Sequence, residues 1–125
     1  MKKLLLLPLL LVSCFCFAQD TKEIIGKPIK IGNLLVAQYD FPERMIWDDA
    51  KAACAKLGKG WRLPTKTELN ILYKNRKKIG GFGSYNYWSS TEYDYANAWL
   101  QKVYDGGQVS VSKTYTSYVR AIRAF

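Results

Sequence analysis

Gly60-Trp61-Arg62-Leu63-Pro64-Thr65-Lys66-Thr67-Glu68-Leu69 is the stretch of this chain that says most about its fold. Thr65 and Glu68 have the Thr-x-x-Glu spacing of a capping box, which marks the first turn of a helix. We expect that helix to occupy residues 66–78, with its apolar side buried. The pair Gly80-Gly81 then ends it, because glycine accepts the backbone conformation found after a helix C-terminus.

Two further elements are predicted on the N-terminal side of this stretch. Residues 34–39 form an apolar run of strand length, which Pro42 brings to an end. Residues 46–57 repeat apolar side chains at three- and four-residue steps, as in an amphipathic helix. We assign the polar, turn-rich residues 19–33 to an N-terminal arm and residues 34–125 to a single domain.

The C-terminal side has the composition of antiparallel strands. Residues 96–104 and 108–112 flank Asp105-Gly106-Gly107, a hairpin turn signal, and residues 118–124 are predicted as a last strand. The inward face of this hairpin is expected to carry Trp99, Val103, Val109 and Val111. Since helices and strands are segregated along the chain rather than alternating, the pattern predicts an α+β fold.

The composition excludes several classes of function. The chain has 125 residues, with 19 Lys and Arg against 10 Asp and Glu, and its formal net charge is +9. This length suits one domain. Since the chain contains no histidine, Ser-His-Asp and Cys-His catalytic sites and histidine-dependent zinc sites are excluded. No motif places two carboxylates at catalytic spacing, so we predict no enzymatic activity and no cofactor.

The N-terminus has the layout of a secretory signal. Met1-Lys2-Lys3 precedes the apolar residues 4–12, which are too few to span a membrane. One interpretation is a signal peptide over residues 1–18, cleaved after Ala18. The alternative is a lipoprotein signal over residues 1–13, which leaves a lipidated Cys14. Both predict an exported protein, either periplasmic or secreted, or held at the membrane only through a lipid anchor on Cys14.

Four motifs, in this order and spacing, resemble a known family. They are Gly60-Trp61-Arg62-Leu63-Pro64-Thr65 with Glu68-Leu69, then Tyr87-Trp88-Ser89-Ser90-Thr91, Ala98-Trp99 and Tyr118-Val119-Arg120-Ala121-Ile122-Arg123. Together they resemble the domain of unknown function 1566, also called the C-terminal domain of a collagen-like bacterial adhesin. The resemblance implies a C-type-lectin-like fold, in which two helices flank a small, twisted antiparallel sheet. The first motif also resembles the formylglycine-generating enzymes, but their late cysteine pair is absent here, so their activity does not follow.

We assign structural rather than ligand-binding roles to the motif side chains. Arg62 is expected to satisfy polar groups at the start of the helix, with Glu68 as its partner. Trp88 and Trp99 are expected in the core, and the roles of Arg120 and Arg123 stay open. The full structural set is Trp61, Arg62, Leu63, Pro64, Thr65, Glu68, Trp88, Ser89, Ser90, Trp99, Arg120 and Arg123.

Cys54 is predicted to be a buried, unpaired thiol. With a signal of residues 1–18 removed, it is the only cysteine left in the chain. The resemblance implies that many family members carry a second cysteine at the position of Ala121, bonded to the equivalent of Cys54. Since alanine stands there in this chain, the fold must depend on packing, and Ala121→Cys is expected to restore the bridge.

The candidate ligand-binding residues are tyrosines and lysines outside the motifs. We expect them to converge at the loop-rich end of the sheet, where tyrosine can stack on a sugar and lysine attracts sulfate, phosphate or carboxylate. These residues are Tyr93, Tyr95, Lys102, Tyr104, Lys113, Tyr115 and Tyr118. The predicted function is non-catalytic recognition at the bacterial cell envelope, of an anionic polysaccharide or an envelope protein.

Other functions stay open at this point. The same tyrosines are also consistent with an accessory or structural envelope domain that has no small ligand. An enzyme acting on surface polymers is a third hypothesis, with its carboxylates meeting across loops. Glu92, Asp94 and Asn97 offer oxygen atoms that suit calcium, but a polar loop explains them equally well, and we predict no metal site. Nucleic acid is not expected as a partner, because export separates the protein from it.

Overall fold

The computed structural model describes residues 23–125. The predicted signal, with Ala18 and Cys14, lies outside these residues. Residues 23–25 are helical, and the elements that follow are β1 (Ile29–Ile31), β2 (Leu34–Val36), α1 (Trp47–Lys56), α2 (Lys66–Lys74), α3 (Arg76–Ile79), β3 (Asn86–Glu92), β4 (Asn97–Lys102), β5 (Gln108–Ser112) and β6 (Ile122–Ala124). The protein is therefore a small domain that mixes helices with antiparallel strands. No helix in residues 23–125 has both the length and the apolar character needed to cross a membrane.

The strands form two antiparallel sheets of three strands each, where the sequence predicts a single sheet. The first sheet has the order β1-β2-β6, and the second sheet has the order β3-β4-β5. Strand β6 is shorter than the strand predicted over residues 118–124, because Tyr118 instead bridges Tyr87 of β3. The sequence does not predict that these three strands share a sheet, since the outer strands have only three residues each and lie far apart along the chain.

Part of the segment assigned to the N-terminal arm belongs to the first sheet. Ile29–Ile31 pairs antiparallel with Leu34–Val36 across a turn at Gly32-Asn33. Gly32 has a φ of 59°, a left-handed conformation that glycine adopts without steric cost. Ile31 is buried, so the packed domain begins before residue 34. A Gly-Asn pair between two short apolar runs is a hairpin signal, and it accounts for this turn.

Both predicted helices are present, with one interruption. Helix α1 lies within one residue of each end of the predicted range 46–57. At the start of α2, Glu68 N donates to Thr65 Oγ1 (3.2 Å) and Thr65 N donates to Glu68 Oε1 (2.9 Å), which is the predicted capping box. Helix α2 ends at Lys74, before the predicted residue 78, and α3 follows as a separate turn. The Asn75 side chain donates to Ile71 O (2.9 Å), and this local bond competes with continuation of the helix.

The core consists of two clusters of buried side chains. The first contains Trp47 of α1 together with Trp88 of β3. The second contains Leu69 of α2 together with Tyr87 of β3. Because successive residues of a strand point to opposite faces, the neighbours Tyr87 and Trp88 join different clusters, each with a different helix. The two clusters thus fix both long helices relative to the second sheet.

Trp99 does not face inward as the hairpin pattern predicts. Ala98 and Leu100 of β4 lie opposite the two valines of β5, whereas Trp99 lies opposite Ser110. Ala98 and Leu100 are buried, so they take the inward positions, and alternation turns Trp99 to the other face. There the Trp99 ring is half-buried, and Lys66 Nζ lies 3.5 Å from the ring centroid.

Cys54 is fully buried in the first cluster. Burial raises the pKa of its thiol to about 12, because a thiolate there would lose its hydration. In the part of the chain that the structure describes, it is a free cysteine with no disulfide partner. Ala121, where the resemblance places a second cysteine, is buried in the same cluster.

Candidate functional site

The structure places the predicted ligand-binding residues at opposite ends of the second sheet. Tyr93 and Tyr95 lie in the turn between β3 and β4, and Lys113 follows β5 at the same end. Lys102 and Tyr104 lie where β4 turns into β5. Strand β4 separates the two turns by six residues, or about 20 Å. These residues therefore do not converge, because successive turns of an up-and-down sheet lie at alternate ends.

The last two candidate residues, Tyr115 and Tyr118, lie in different places from each other. Tyr118 lines the same depression as Tyr104, beside the start of β3. Tyr115 is exposed in the segment after β5 and lines no depression with Tyr104. The structure thus brings Tyr104 and Tyr118 together and leaves Tyr115 apart.

Two adjoining depressions surround Tyr104, and together we call them the Tyr104 basin. The first has a volume of about 190 Å³, and its lining includes Arg44, Tyr85, Tyr104 and Tyr118. The second has a volume of about 430 Å³, and its lining includes Tyr104, Arg76, Lys77 and residues 80–84. Tyr104 and Ser84 line both depressions, so the basin is one continuous surface.

Aromatic rings form one side of the Tyr104 basin. Tyr85 and Tyr118 stack with their ring centroids 4.6 Å apart and an interplanar angle of 26°. Tyr104 is 67% exposed and Tyr85 is 53% exposed, so both rings are accessible to a ligand. A tyrosine in such a position offers an apolar ring face and a hydroxyl that forms hydrogen bonds.

Three cations also line the Tyr104 basin. Arg44 and Lys77 are exposed, one in each depression. Arg76 Nη1 donates to Tyr73 O (2.9 Å), and its guanidinium lies 4.2 Å from the centroid of the Tyr73 ring. The lining residues include no Asp or Glu. The basin is therefore electropositive, and it favours anionic ligands.

A buried ion pair holds the glycine-rich wall of the basin, residues 80–84. Arg120 is only 1% exposed, and its Nε donates to Asp40 Oδ1 at 2.7 Å. Its other nitrogens donate to Ala37 O and Gly80 O, both at 3.2 Å. The guanidinium also lies 4.3 Å from the centroid of the Phe82 ring. Arg120 therefore connects this wall to the loop after β2.

Tyr87 completes this arrangement from the second sheet. Its hydroxyl donates to Asp40 Oδ2 and accepts a hydrogen bond from Gly83 N (3.0 Å). Burial raises the pKa of both Tyr87 and Asp40, although Arg120 acts against this shift at each group. Gly81 has a φ of 76°, and a Cβ there would lie 3.0 Å from Arg120 Nη2, so the wall requires glycine at this position. We call Asp40, Tyr87 and Arg120 the Asp40 cluster.

The opposite end of the sheet carries a braced turn, residues 92–97, which we call the Tyr95 tip. Asp94 Oδ1 accepts hydrogen bonds from Ala96 N (2.9 Å), Asn97 N (2.8 Å) and Asn97 Nδ2 (2.9 Å). Lys113 Nζ donates to Glu92 Oε2 (2.7 Å) and to Tyr95 O (2.8 Å). These bonds lower the pKa of both Glu92 and Asp94. Lys113 is thus engaged within the molecule rather than free for a ligand.

The oxygen atoms considered for calcium have other partners in this turn. The three hydrogen bonds to Asp94 Oδ1 come from nitrogen donors of residues 96 and 97. Within residues 23–125, no three Cys, Asp or Glu side chains come together in a way that could hold a metal ion.

The motif side chains connect elements of the fold. Arg62 Nη1 and Nη2 donate to the two Glu68 carboxylate oxygens at 2.7 and 3.0 Å. These hydrogen bonds are the main reason that the pKa of Glu68 is lowered. Trp88 Nε1 donates to Met45 O (2.8 Å), and Trp88 is fully buried. Trp61, Leu63 and Pro64 are buried. Ser89 Oγ donates to Trp99 O (2.7 Å), and Ser90 N donates to Pro64 O (2.8 Å). Arg123 is exposed and lies beside Gly60.

A second concave region, the Phe41 groove, has a different character. It has a volume of about 380 Å³, and its apolar lining includes Ile24, Phe41, Pro42 and Leu57. Specific ligand sites combine apolar walls with a few convergent polar groups that orient the ligand. The Tyr104 basin has such groups and the Phe41 groove has few, so we base the functional proposal on the basin.

Several residues of the Tyr104 basin have no place in the sequence-based candidate set. Arg44 and Tyr85 lie in loops without a motif, and Arg76 and Lys77 are predicted only as cations at a helix end. A usable signal is present in Gly80-Gly81-Phe82-Gly83-Ser84, since glycines that follow a basic helix end mark a loop of unusual conformation.

Comparison with known proteins supplies a family and a fold. A family model described as the Lcl C-terminal domain matches residues 21–123. No curated protein matches the chain in sequence. Among solved structures, a chain from "The von Willebrand Factor mutant (I546V) A1 domain-botrocetin Complex" superposes with a TM-score of 0.58 at 15% identity, over 80% of this chain and 98% of that chain.

The crystal structure of botrocetin superposes equally well. Its TM-score is also 0.58, at 14% identity, over 80% of this chain and 98% of that chain. These neighbours are C-type-lectin-like. At this level of identity the likeness concerns the fold alone, and it assigns the described domain to a C-type-lectin-like architecture.

Proposed function

Since this chain belongs to the Lcl C-terminal domain family, we propose that it is a non-catalytic recognition domain that binds an anionic polysaccharide in the Tyr104 basin. We propose further that it acts after export, at the bacterial cell envelope. The observation that carries the proposal is the joining of stacked tyrosines and three cations, Arg44, Arg76 and Lys77, on one continuous surface. The likeness of its four motifs to the C-terminal domain of a collagen-like bacterial adhesin supports a role at the cell surface.

The chemistry of the basin suits an acidic sugar chain. A sugar ring can stack against the exposed face of Tyr104 or of the Tyr85–Tyr118 pair, while tyrosine hydroxyls form hydrogen bonds with sugar hydroxyls. Arginine presents a planar set of N–H donors that matches sulfate or carboxylate oxygens, and lysine adds a mobile positive charge. Neighbouring depressions allow two successive groups of one polymer to bind at once.

The lining of the basin supports binding without catalysis. Hydrolysis of a glycosidic bond normally needs two carboxyl groups about 5–10 Å apart on either side of the bond. The residues that line the basin include neither Asp nor Glu. Asp105, at the adjacent hairpin turn, accepts a hydrogen bond from Gly107 N (2.8 Å), which gives it a role in the turn.

Measuring the affinity for heparin, used as a sulfated test polymer, tests whether the Tyr104 basin binds an anionic polysaccharide. In the double variant Arg44→Ala·Lys77→Ala, each depression loses one exposed cation. Because a hydrogen bond to a charged group contributes about 1.5–3 kcal/mol, we expect affinity to fall at least about tenfold. Tyr104→Ala is expected to weaken binding with less change in its salt dependence, since it removes ring contact rather than charge.

A charge-matched control separates the basin from general electrostatic attraction. Lys27→Ala·Lys59→Ala removes the same total charge from two exposed lysines that line neither depression. We expect this variant to keep most of the affinity measured by isothermal titration calorimetry. Equal losses in the two double variants would show that net charge, and not the basin, binds heparin.

An envelope protein is a second candidate ligand, and a different surface favours it. The Tyr95 tip presents an aromatic side chain that is 93% exposed on a braced turn. Preorganised tyrosines of this kind are effective protein-binding groups, because docking costs little conformational entropy. The complex of botrocetin with the von Willebrand factor A1 domain is consistent with protein binding on such a fold.

A further inference from the structure

The Tyr95 tip combines high exposure with a fixed conformation. Tyr95 is 93% exposed, more than any other large apolar side chain in residues 23–125. Asp94 and Lys113 hold the turn with five hydrogen bonds to its other atoms, three to the Asp94 carboxylate and two from the Lys113 ammonium. A side chain that an ordered turn presents in this way is suited to insertion into a cavity of another molecule.

The tip carries exposed carboxylates although the whole chain is strongly basic. Glu92 has a side chain that is 55% exposed, and Asp94 is exposed as well. Both stay ionised at neutral pH, since hydrogen bonds from Lys113 and from residues 96 and 97 favour their charged forms. The Lys113 side chain is only 18% exposed, and its ammonium also lies 4.4 Å from the Trp47 ring centroid, so it is directed inward. The exposed charged side chains within residues 92–97 are therefore both acidic, and the exposed Lys51 lies near enough to help lower the pKa of Glu92.

The Tyr104 basin is the complement of this surface. It has accessible tyrosine rings and the cations Arg44, Arg76 and Lys77, with no carboxylate in its lining. The basin and the tip lie at opposite ends of β4, about 20 Å apart, and cannot meet within one molecule. Their complementarity can be satisfied only between molecules.

We infer that the Tyr95 tip of one molecule docks in the Tyr104 basin of a second copy of this chain. Tyr95 enters beside the exposed rings of Tyr85 and Tyr104, and the carboxylates of the tip face the basin's cations. The contact joins two different surfaces, so every open assembly keeps one free tip and one free basin and can grow head to tail, and it stops growing only if it closes into a ring.

This inference uses the basin of the proposed function and names a partner for the Tyr95 tip. A polysaccharide and a second copy then compete for the same basin. The docked surfaces are small, so we expect a weak contact, with a dissociation constant between about 1 μM and 1 mM.

Sedimentation velocity of the protein, purified in the form that the cell produces, tests the inference over this concentration range. The wild type is expected to show a mean mass that rises steadily with concentration. Tyr95→Ala and Tyr104→Ala each remove one side of the contact, and each is expected to weaken association at least about tenfold. Tyr39→Ala is the matched control, because it also removes an exposed tyrosine but touches neither surface.

A mixture of the two variants gives the decisive measurement. Tyr95→Ala keeps an intact basin and Tyr104→Ala keeps an intact tip, so together they form one good contact and stop at a 1:1 dimer. Recovery of that dimer in the mixture, and its dissociation by heparin, support the inference. A wild type that stays monomeric to 1 mM, or a mixture of folded variants that stays monomeric while the wild type associates, overturns it.

The same variants keep the two ideas distinguishable. Tyr95→Ala is expected to bind heparin as the wild type does, because it leaves the basin intact. If the mixed dimer forms but heparin neither binds nor dissociates it, the polysaccharide proposal fails and the head-to-tail contact stands. If heparin binds at the basin and no association occurs, the reverse holds.

Discussion

Substitution of Asp40 by alanine tests how much of the domain's stability depends on the Asp40 cluster. The change removes a carboxylate that accepts two hydrogen bonds, one from Arg120 Nε at 2.7 Å and one from the Tyr87 hydroxyl. The Arg120 side chain is 0% exposed, so in the wild type it has no solvent contact that could offset the loss of its partner. A buried guanidinium is then left with two carbonyl acceptors, Ala37 O and Gly80 O.

The structure allows the cost to be estimated. Removing one partner from a buried ion pair destabilises a protein by about 3–5 kcal/mol. The Asp40 side chain is 19% exposed and Arg120 keeps its two carbonyl contacts, so we expect a value near the lower end, about 3 kcal/mol. Tyr87→Phe removes a hydroxyl that donates to Asp40 and accepts from Gly83 N, for an expected cost of about 1.5–3 kcal/mol.

Urea unfolding at pH 7, followed by tryptophan fluorescence, measures these costs. With a denaturant slope of about 2 kcal/mol per molar, Asp40→Ala lowers the unfolding midpoint by about 1.5 M. The double variant Asp40→Ala·Arg120→Met removes the unpaired charge, and it is expected to be more stable than Asp40→Ala alone. A cost below about 1 kcal/mol for Asp40→Ala, or a double variant no more stable than that single variant, would refute the reasoning that a buried charge loses its partner.

Three further outcomes follow from side chains of the core and of helix α2. The cysteine introduced by Ala121→Cys is expected to form a disulfide with Cys54 under oxidising conditions and to raise the free energy of unfolding by about 2–4 kcal/mol. The melting temperature should then rise and fall back on reduction. Absence of the disulfide by mass spectrometry would contradict the pairing. The wild-type Cys54 thiol, with its pKa raised to about 12, is expected to react with an aromatic disulfide reagent at pH 8 only after urea unfolding; rapid labelling of the native protein would contradict its burial. Because Arg62 holds the pKa of Glu68 below its usual 4.5, Glu68 contributes stability above that pH, and this stability is lost as the pH falls through the lowered value; Glu68→Gln should flatten that slope in acid titrations followed by circular dichroism.

Local sequence patterns predict the helices and the hairpin well because short-range interactions determine them. The Thr65–Glu68 capping box depends on residues three apart, and the turn at residues 105–107 depends on glycine. Helix α1 begins and ends within one residue of its predicted range, since its apolar spacing and the following glycine agree. In each case the chain carries the signal within a few residues of the structure that it specifies.

Long-range contacts explain what the sequence does not reveal. The Asp40–Arg120 pair joins residues 80 positions apart, and no local pattern connects them. The candidate tyrosines are predicted to converge at the loop-rich end of the sheet, yet alternating turns send Tyr95 and Tyr104 to opposite ends of the sheet. Trp99 differs from prediction for a related reason, since a shift of one residue in strand register reverses the face that every side chain occupies.

The first sheet also determines how the domain responds to mechanical tension. Ile29 and Ile122 both lie opposite Val36, so the outer strands β1 and β6 run in the same direction on either side of β2. A pull applied to the segments that flank Ile29 and Ala124 therefore slides these two strands along β2, and the load is shared among their hydrogen bonds. The second sheet, with its two complementary ends, stays outside the line of force until those three short strands separate.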